Sequence, residues 1–92
     1  MIVRVRLAGV LRSRLGRDEI SVELGKSIKL SDFLRKLRSE MPDLREAVEE
    51  DGSLTASYIA FLNNIDYRLL GGSDYELKDG DEISLVPISH GG

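Results

Sequence analysis

From Ile2 the chain alternates, with Val3, Val5 and Leu7 on one side and Arg4 and Arg6 on the other. That is the period of a half-buried strand. Ala8-Gly9 ends it, and the arginine-rich stretch that follows, as far as Arg17-Asp18, reads as a turn. Ile20, Val22 and Leu24 alternate again against Ser21 and Glu23, which predicts a second strand and an N-terminal hairpin. At Leu30 the period changes. Leu30, Phe33, Leu34, Leu37 and Met41 fall on one helical stripe, with Asp32, Arg35, Lys36, Arg38 and Glu40 opposite. Pro42 stops that helix. Leu44, Ala47 and Val48 predict a short second helical turn before Asp51-Gly52. Ser57 to Leu62 is an apolar run of strand length, and Asn63-Asn64 after it is a turn, because asparagine tolerates positive φ. A second turn, Asp79-Gly80-Asp81, launches a last strand from Glu82 to Ile88. Pro87 has no N–H for a central ladder, so pairing is expected to fade there. Ser89-His90-Gly91-Gly92 follows as a tail.

The order is strand, strand, helix, strand, a short extended piece, strand. Laying one amphipathic helix across one face of a mixed sheet is the economical way to bury both apolar surfaces. The expected class is α+β, with the β-grasp architecture of ubiquitin and the first and last strands parallel in the centre. Strand parity puts Val3, Val5, Leu7, Tyr58, Ala60 and Leu62 against the helix. Ile59, Phe61 and Val86 then lie on the opposite face, with Ala8 in the nearby loop. A register slipped by one residue would reverse this and make Phe61 core. An uncovered apolar sheet face marks a contact surface or a second packed layer.

Ninety-two residues make one domain, 1–92, with the tail at 89–92. At this size a domain buries roughly 60–70% of its unfolded surface, enough for one core but not for a deep enclosed active site. Hydrophobic residues at 41% and charged residues at 32% exclude a disordered chain. The net charge of −3 gives no reason to expect direct nucleic-acid binding, although Arg4, Arg6, Arg12, Arg14 and Arg17 concentrate basic residues near the N-terminus. No apolar run approaches the roughly 18 residues that span a bilayer, and the N-terminus reads as a strand rather than a signal peptide. No membrane association and a cytoplasmic location are the expectations. The absence of cysteine removes disulfides, iron–sulfur clusters, a thiol nucleophile and a persulfide carrier together. No metal site is expected: Glu46, Glu49, Glu50 and Asp51 read as a solvated surface without ligand spacing. Asp79-Gly80-Asp81 lacks the other acidic positions of a calcium loop, and Gly71-Gly72 opens no strand-to-helix junction that would cradle phosphate.

Phe61-Leu62-Asn63-Asn64-Ile65-Asp66-Tyr67-Arg68-Leu69-Leu70-Gly71-Gly72 runs into Asp74-Tyr75-Glu76-Leu77-Lys78-Asp79-Gly80-Asp81-Glu82-Ile83. With Val5-Arg6-Leu7 through Leu11-Arg12 at the start and Pro87-Ile88-Ser89-His90-Gly91-Gly92 at the end, this pattern resembles the ubiquitin-related modifier family. Relatives of that family are the archaeal small modifier proteins, the small subunit of molybdopterin synthase and the thiazole sulfur carrier. The resemblance covers essentially the whole chain.

What the resemblance implies is a carrier rather than an enzyme. A partner adenylating enzyme would use ATP to activate the carboxylate of Gly92, and a sulfur donor would then replace AMP to leave a thiocarboxylate. The chain itself would bind no cofactor. The sulfur would pass to a transfer-RNA thiolation enzyme, or the activated carbonyl would go to target-protein lysines. The chain's own Lys26, Lys29, Lys36 and Lys78 carry nothing that ranks them as acceptors. Glycine suits Gly91 and Gly92 because a tail threading a confined site must take any backbone conformation cheaply. His90 is expected to be a recognition residue, since a lone histidine has no acid–base partner here. Ala8, Ile59, Phe61 and Val86 hold the positions of the hydrophobic patch that ubiquitin-like proteins present to partners. Two alternatives stay open. One is the small subunit of molybdopterin synthase, placing its tail in a large subunit. The other is a non-catalytic β-grasp interaction domain.

Overall fold

A computed structural model describes residues 1–88 of the chain. Strand β1 (Ile2–Leu7) pairs antiparallel with β2 (Glu19–Glu23), Val5 opposite Ile20. Its other edge pairs parallel with β5 (Glu82–Pro87), Val5 opposite Ile83 and Leu7 opposite Leu85. Strand β3 (Tyr58–Leu62) lies antiparallel along the far side of β5, and the two-residue β4 (Ile65–Asp66) closes that edge. The sheet order is β2-β1-β5-β3-β4, with the first and last strands adjacent at its centre.

Alternation along each strand decides which face is covered. Val3, Val5 and Leu7, Tyr58, Ala60 and Leu62, and Ile83 and Leu85 are all buried. They form one cluster with Leu30, Phe33, Leu34 and Leu37 of the main helix (Leu30–Glu40), so the period-3.6 stripe and the period-2 faces meet as expected. Among the described residues no helix is long and apolar enough to cross a membrane.

The arginine-rich stretch is not a turn. Val10–Leu15 is an α-helix, here α1, closed by Gly16 in the left-handed region at φ 68°. The main helix is therefore α2. Leu11 is fully buried and Leu15, one turn on, packs half-buried against the core, while Arg14 reaches outward to Glu46 at 3.1 Å. Met41, expected on the α2 stripe, lies one residue beyond the end of α2 and still packs half-buried against the core. The turn expected around Leu44 is a 3₁₀ helix over Pro42–Glu46, with Leu44, Ala47 and Val48 buried.

Asn63 and Asn64 both take positive φ, 51° and 70°, as a two-residue hairpin connection demands. Asn63 also reaches sideways. Its side-chain amide donates to Asp81 Oδ1 at 3.0 Å, and its amide oxygen accepts from the Glu82 N–H at 3.0 Å. Asp81 is the one buried charged residue among those described, and it also accepts from the Tyr75 hydroxyl at 2.9 Å and the Lys78 N–H at 2.8 Å. Burial and this bond to Asp81 together push the Tyr75 hydroxyl above its ordinary pKa. The turn that begins β5 is thus tied to the β3–β4 hairpin through one carboxylate. Replacing Asp81→Ala would take the shared acceptor from those part-buried donors. The expected loss is about 1–3 kcal/mol of unfolding free energy, read as a lower urea midpoint at unchanged slope.

Candidate functional site: the open sheet face and the root of the tail

Gly92, Gly91 and His90, on which the sequence places the chemistry, lie outside the described residues. What the structure does fix is the point from which they depart. The Ile88 N–H donates to the Ser57 carbonyl at 2.7 Å, so pairing with the β3 side continues past Pro87 rather than fading there. The reason is the alternation of ladder bonds. Ile88 turns its N–H toward β3, so Pro87, one residue earlier, turns its nitrogen toward β1. The β1 ladder has already ended at the Leu7–Leu85 pair, and no donor is missed. Gly9, at φ 62°, lies against the same proline: a Cβ there would come within 3.1 Å of Pro87 Cγ. From Ile88 four residues remain. At about 3.3–3.6 Å each, their covalent reach is at most about 14 Å.

The sheet face away from α2 begins beside this root. Tyr58, Ala60 and Leu62 are buried, so Ile59 and Phe61 point the other way, and the slipped register that would make Phe61 core does not occur. Ile59 stands opposite Val86, and Phe61 stands opposite Ser84. Ile59, Phe61, Val86 and Ala8 are all half-buried. Val86 and Ala8 line a shallow hollow with Arg6, Arg12, Asp18 and Ser84. The four apolar positions named from the sequence thus fall on or beside one face, next to the strand that carries the tail.

Charge divides this face. On its β2 side Arg4 sits between Glu82 at 3.4 Å and Glu19 at 3.7 Å, and Arg6 approaches Glu82 at 3.9 Å. At the β4 edge Arg68 grips Asp66 at 2.6 Å and holds its carboxyl below the ordinary carboxylate range through side-chain and backbone hydrogen bonds. The arginines of these pairs are exposed and screened, so the pairs shape the surface field more than they hold the fold.

The remaining sequence candidates have structural duties. The Asp51 carboxylate closes its own turn by accepting from the Ser53 hydroxyl and N–H. Among the described residues no group of acidic or histidine side chains could hold a metal ion. Asp79 accepts from the Ile2 N–H at 2.8 Å and so caps the entry to β1. Gly71 and Gly72, both at positive φ, join two 3₁₀ turns. Lys29 pairs with Asp74 at 3.7 Å, and the Lys78 ammonium lies 5.3 Å from the Tyr75 ring centre. Sequence reading missed Arg12, which it had placed in a turn, and the contact of Gly9 with Pro87. A glycine flanked by valine and alanine gives no sign that a proline 78 positions later will lie on it.

A mixed sheet with its terminal strands parallel at the centre, crossed on one face by a main helix, defines a ubiquitin-like β-grasp protein. Within that class the chain belongs to the ThiS family, whose model matches residues 5–92. It is 38% identical over 63 residues to ubiquitin-related modifier 1 of Laccaria bicolor, a match taking in 68% of this chain and 47% of that protein. The chain thus spans about half the length of that relative, and 57% and 64% of the modifiers of Coprinopsis cinerea and Mycosarcoma maydis. A putative sulfur carrier protein of Archaeoglobus fulgidus is 30% identical over 92 residues, with all of both chains covered. Among solved structures, small archaeal modifier protein 1 of Methanosarcina acetivorans superposes with a TM-score of 0.79 at 31% identity, covering 99% of this chain and 96% of that one. A chain of the BexX/CysO complex of Amycolatopsis orientalis does so with a TM-score of 0.72 at 27% identity, covering 98% and 99%.

Parity separates surface from core along β3 by single steps. Phe61→Asp should keep a cooperative thermal transition and cost no more than about 2 kcal/mol, whereas Ala60→Asp, facing α2, should abolish the transition followed by circular dichroism.

Proposed function

We propose that this chain is a ubiquitin-like sulfur carrier and protein modifier whose reacting group is the carboxylate of Gly92. The observation that carries the reading is that the strand leading in sequence to Gly91-Gly92 is the central strand of the sheet. That strand is held to its last described residue, and the face beside it is apolar. Membership of the ThiS family and the full-length likeness to an archaeal putative sulfur carrier support it.

The chemistry follows from what a carboxylate lacks. It is a poor acyl donor because its oxygen leaves badly. Attack of a Gly92 oxygen on the α-phosphate of ATP, in a partner adenylating enzyme, expels pyrophosphate and turns that oxygen into part of an AMP leaving group. Hydrosulfide released by a sulfur donor then adds to the carbonyl and AMP departs, leaving a thiocarboxylate. A lysine amine attacking the same acyl-adenylate would instead give an isopeptide bond. With no cysteine in the sequence, the chain has no thiol of its own to carry sulfur. Sulfur delivery for transfer-RNA thiolation and conjugation to protein lysines share this first step, and both belong to the proposal.

The chain's contribution is presentation. Ile59, Phe61, Val86 and Ala8 dock the folded body, and Gly91 and Gly92 let the terminus thread a narrow channel without side-chain collision. Ordering the tail costs conformational entropy that contact elsewhere has to offset, and the apolar face supplies that contact. His90 serves recognition of the tail.

Protein isolated from its own cells should show a fraction about sixteen mass units heavier, with sulfur in place of one terminal oxygen. Gly92→Val should abolish ATP–pyrophosphate exchange by the adenylating enzyme while leaving the melting temperature unchanged. Continued exchange by a chain carrying uncleaved residues beyond Gly92 would overturn the reading.

A further inference from the structure

The hollow between the end of β1, α1 and β5 joins apolar and cationic surface. Its walls include Leu7, Ala8, Leu85 and Val86, and Arg6 and Arg12 stand on it with Asp18 as its one acidic member. Arg12 forms no ion pair among the described residues. Arg6 has only Glu82 at 3.9 Å, and that carboxylate lies nearer to Arg4, at 3.4 Å. Elsewhere on α1 the contrast is clear: Arg14 is satisfied by Glu46 at 3.1 Å.

We infer that this hollow is the charged half of the docking surface, and that it receives a carboxylate side chain from the protein that covers the apolar half. The inference rests on the docking role proposed above for Ile59, Phe61, Val86 and Ala8. Val86 and Ala8 belong to both halves, so a partner seated on the patch also covers the hollow and strips water from the two guanidinium groups. Covering a charge without a counter-charge is costly, which favours a partner that brings an anion. Guanidinium presents a planar fork of donors that fits a carboxylate in two-point contact. In a chain of net charge −3, such a local cationic pair also selects orientation, because the rest of the surface repels the acidic patch that this hollow attracts.

The test is ATP–pyrophosphate exchange by the adenylating enzyme encoded in the same genome, with the full chain as varied substrate, from about 0.05 to 0.5 M NaCl. Arg6 and Arg12 are both exposed, so the double variant Arg6→Glu/Arg12→Glu should fold, which a thermal melt checks. It should raise KM about tenfold or more at low salt with kcat unchanged, and the salt dependence of KM seen with the natural chain should flatten. Charge reversal of the facing carboxylate on the enzyme should restore the double variant. If Phe61→Asp raises KM while the arginine variant matches the natural chain at every salt concentration, the carboxylate inference fails and the docking role stands. If Phe61→Asp leaves KM unchanged as well, the docking role itself fails. A fall in kcat at constant KM for the arginine variant would also overturn the inference, because it would put these side chains at the chemical step instead of the encounter.

Discussion

The parallel pairing of β1 with β5 is the constraint on which the rest depends. It joins the two ends of the described chain at the centre of the sheet, with Arg4 opposite Glu82 and Leu7 opposite Leu85. Everything between them has to be accommodated as a crossover, and α2 lies in that crossover on the face where both strands turn their buried side chains. Such pairing is long-range and forms only after a large loop is closed. The structure meets this with fastenings at both ends of β5. At its start, Asp81 gathers Asn63, Tyr75 and the Lys78 N–H, and Asp79 caps β1. At its finish, Ile88 is held by Ser57 and Pro87 lies against Gly9. A terminal strand would ordinarily be prone to fray. Here it is the most enclosed strand of the sheet, so the tail leaves from a fixed point.

A single-layer sheet with one main helix has one face too many for its core. On the open face the chain places two different solutions side by side. Toward β2, Arg4 and Arg6 of β1, Glu82 of β5 and Glu19 of β2 are in mutual contact, which keeps that part hydrated, with Ile2 exposed at the start of β1. Toward β3 the outward positions are Ile59, Phe61 and Val86, which gain nothing from water. The boundary between the halves runs along β5, at Ser84. A surface built only for solubility would have continued the charged pattern across β3. The change of chemistry at β5 is the physical ground for treating the β3 side as a place of contact.

How much of this could be read in advance depended on the length scale of each signal. β1, β2, β3 and α2 each carry an apolar period over several residues, and all four were legible, as was the parallel centre of the sheet. The orientation of Phe61 followed from alternation within β3 alone. Helix α1 was not legible, because Leu11 and Leu15 give it a single i, i+4 pair amid arginines, too little to outweigh the glycine on either side. The role of Asp81 was hidden for another reason. A turn aspartate looks the same in sequence whether it faces water or gathers donors from outside its own turn, and only the fold brings Asn63 and Tyr75 to it. Pro87 misled by position: a proline costs a ladder bond only if its nitrogen faces a partner strand, and strand phase is not written at that residue. The candidate chemistry was legible in a different sense, since the Gly-Gly end is a local motif that needs no fold to be seen.

These observations separate two tasks within a short chain. On the reading proposed above, the confined, dehydrated site that the reaction needs comes from the partner enzyme. What the body can supply is a position. On that reading Gly92 lies four residues beyond Ile88, a reach of at most about 14 Å, and a partner's reactive centre would lie within that distance of a strand end held by Ser57, Pro87 and Gly9. A longer tail would tolerate many docking poses. A short one rising from a rigid root tolerates few, so on the same reading the choice of partner falls to the surface around that root: the apolar residues of β3 and β5, and the two arginines beside them. On the reading proposed above, specificity belongs to the sheet face and reactivity to the carboxylate of Gly92, and the rigidity of β5 is what lets the first govern the second.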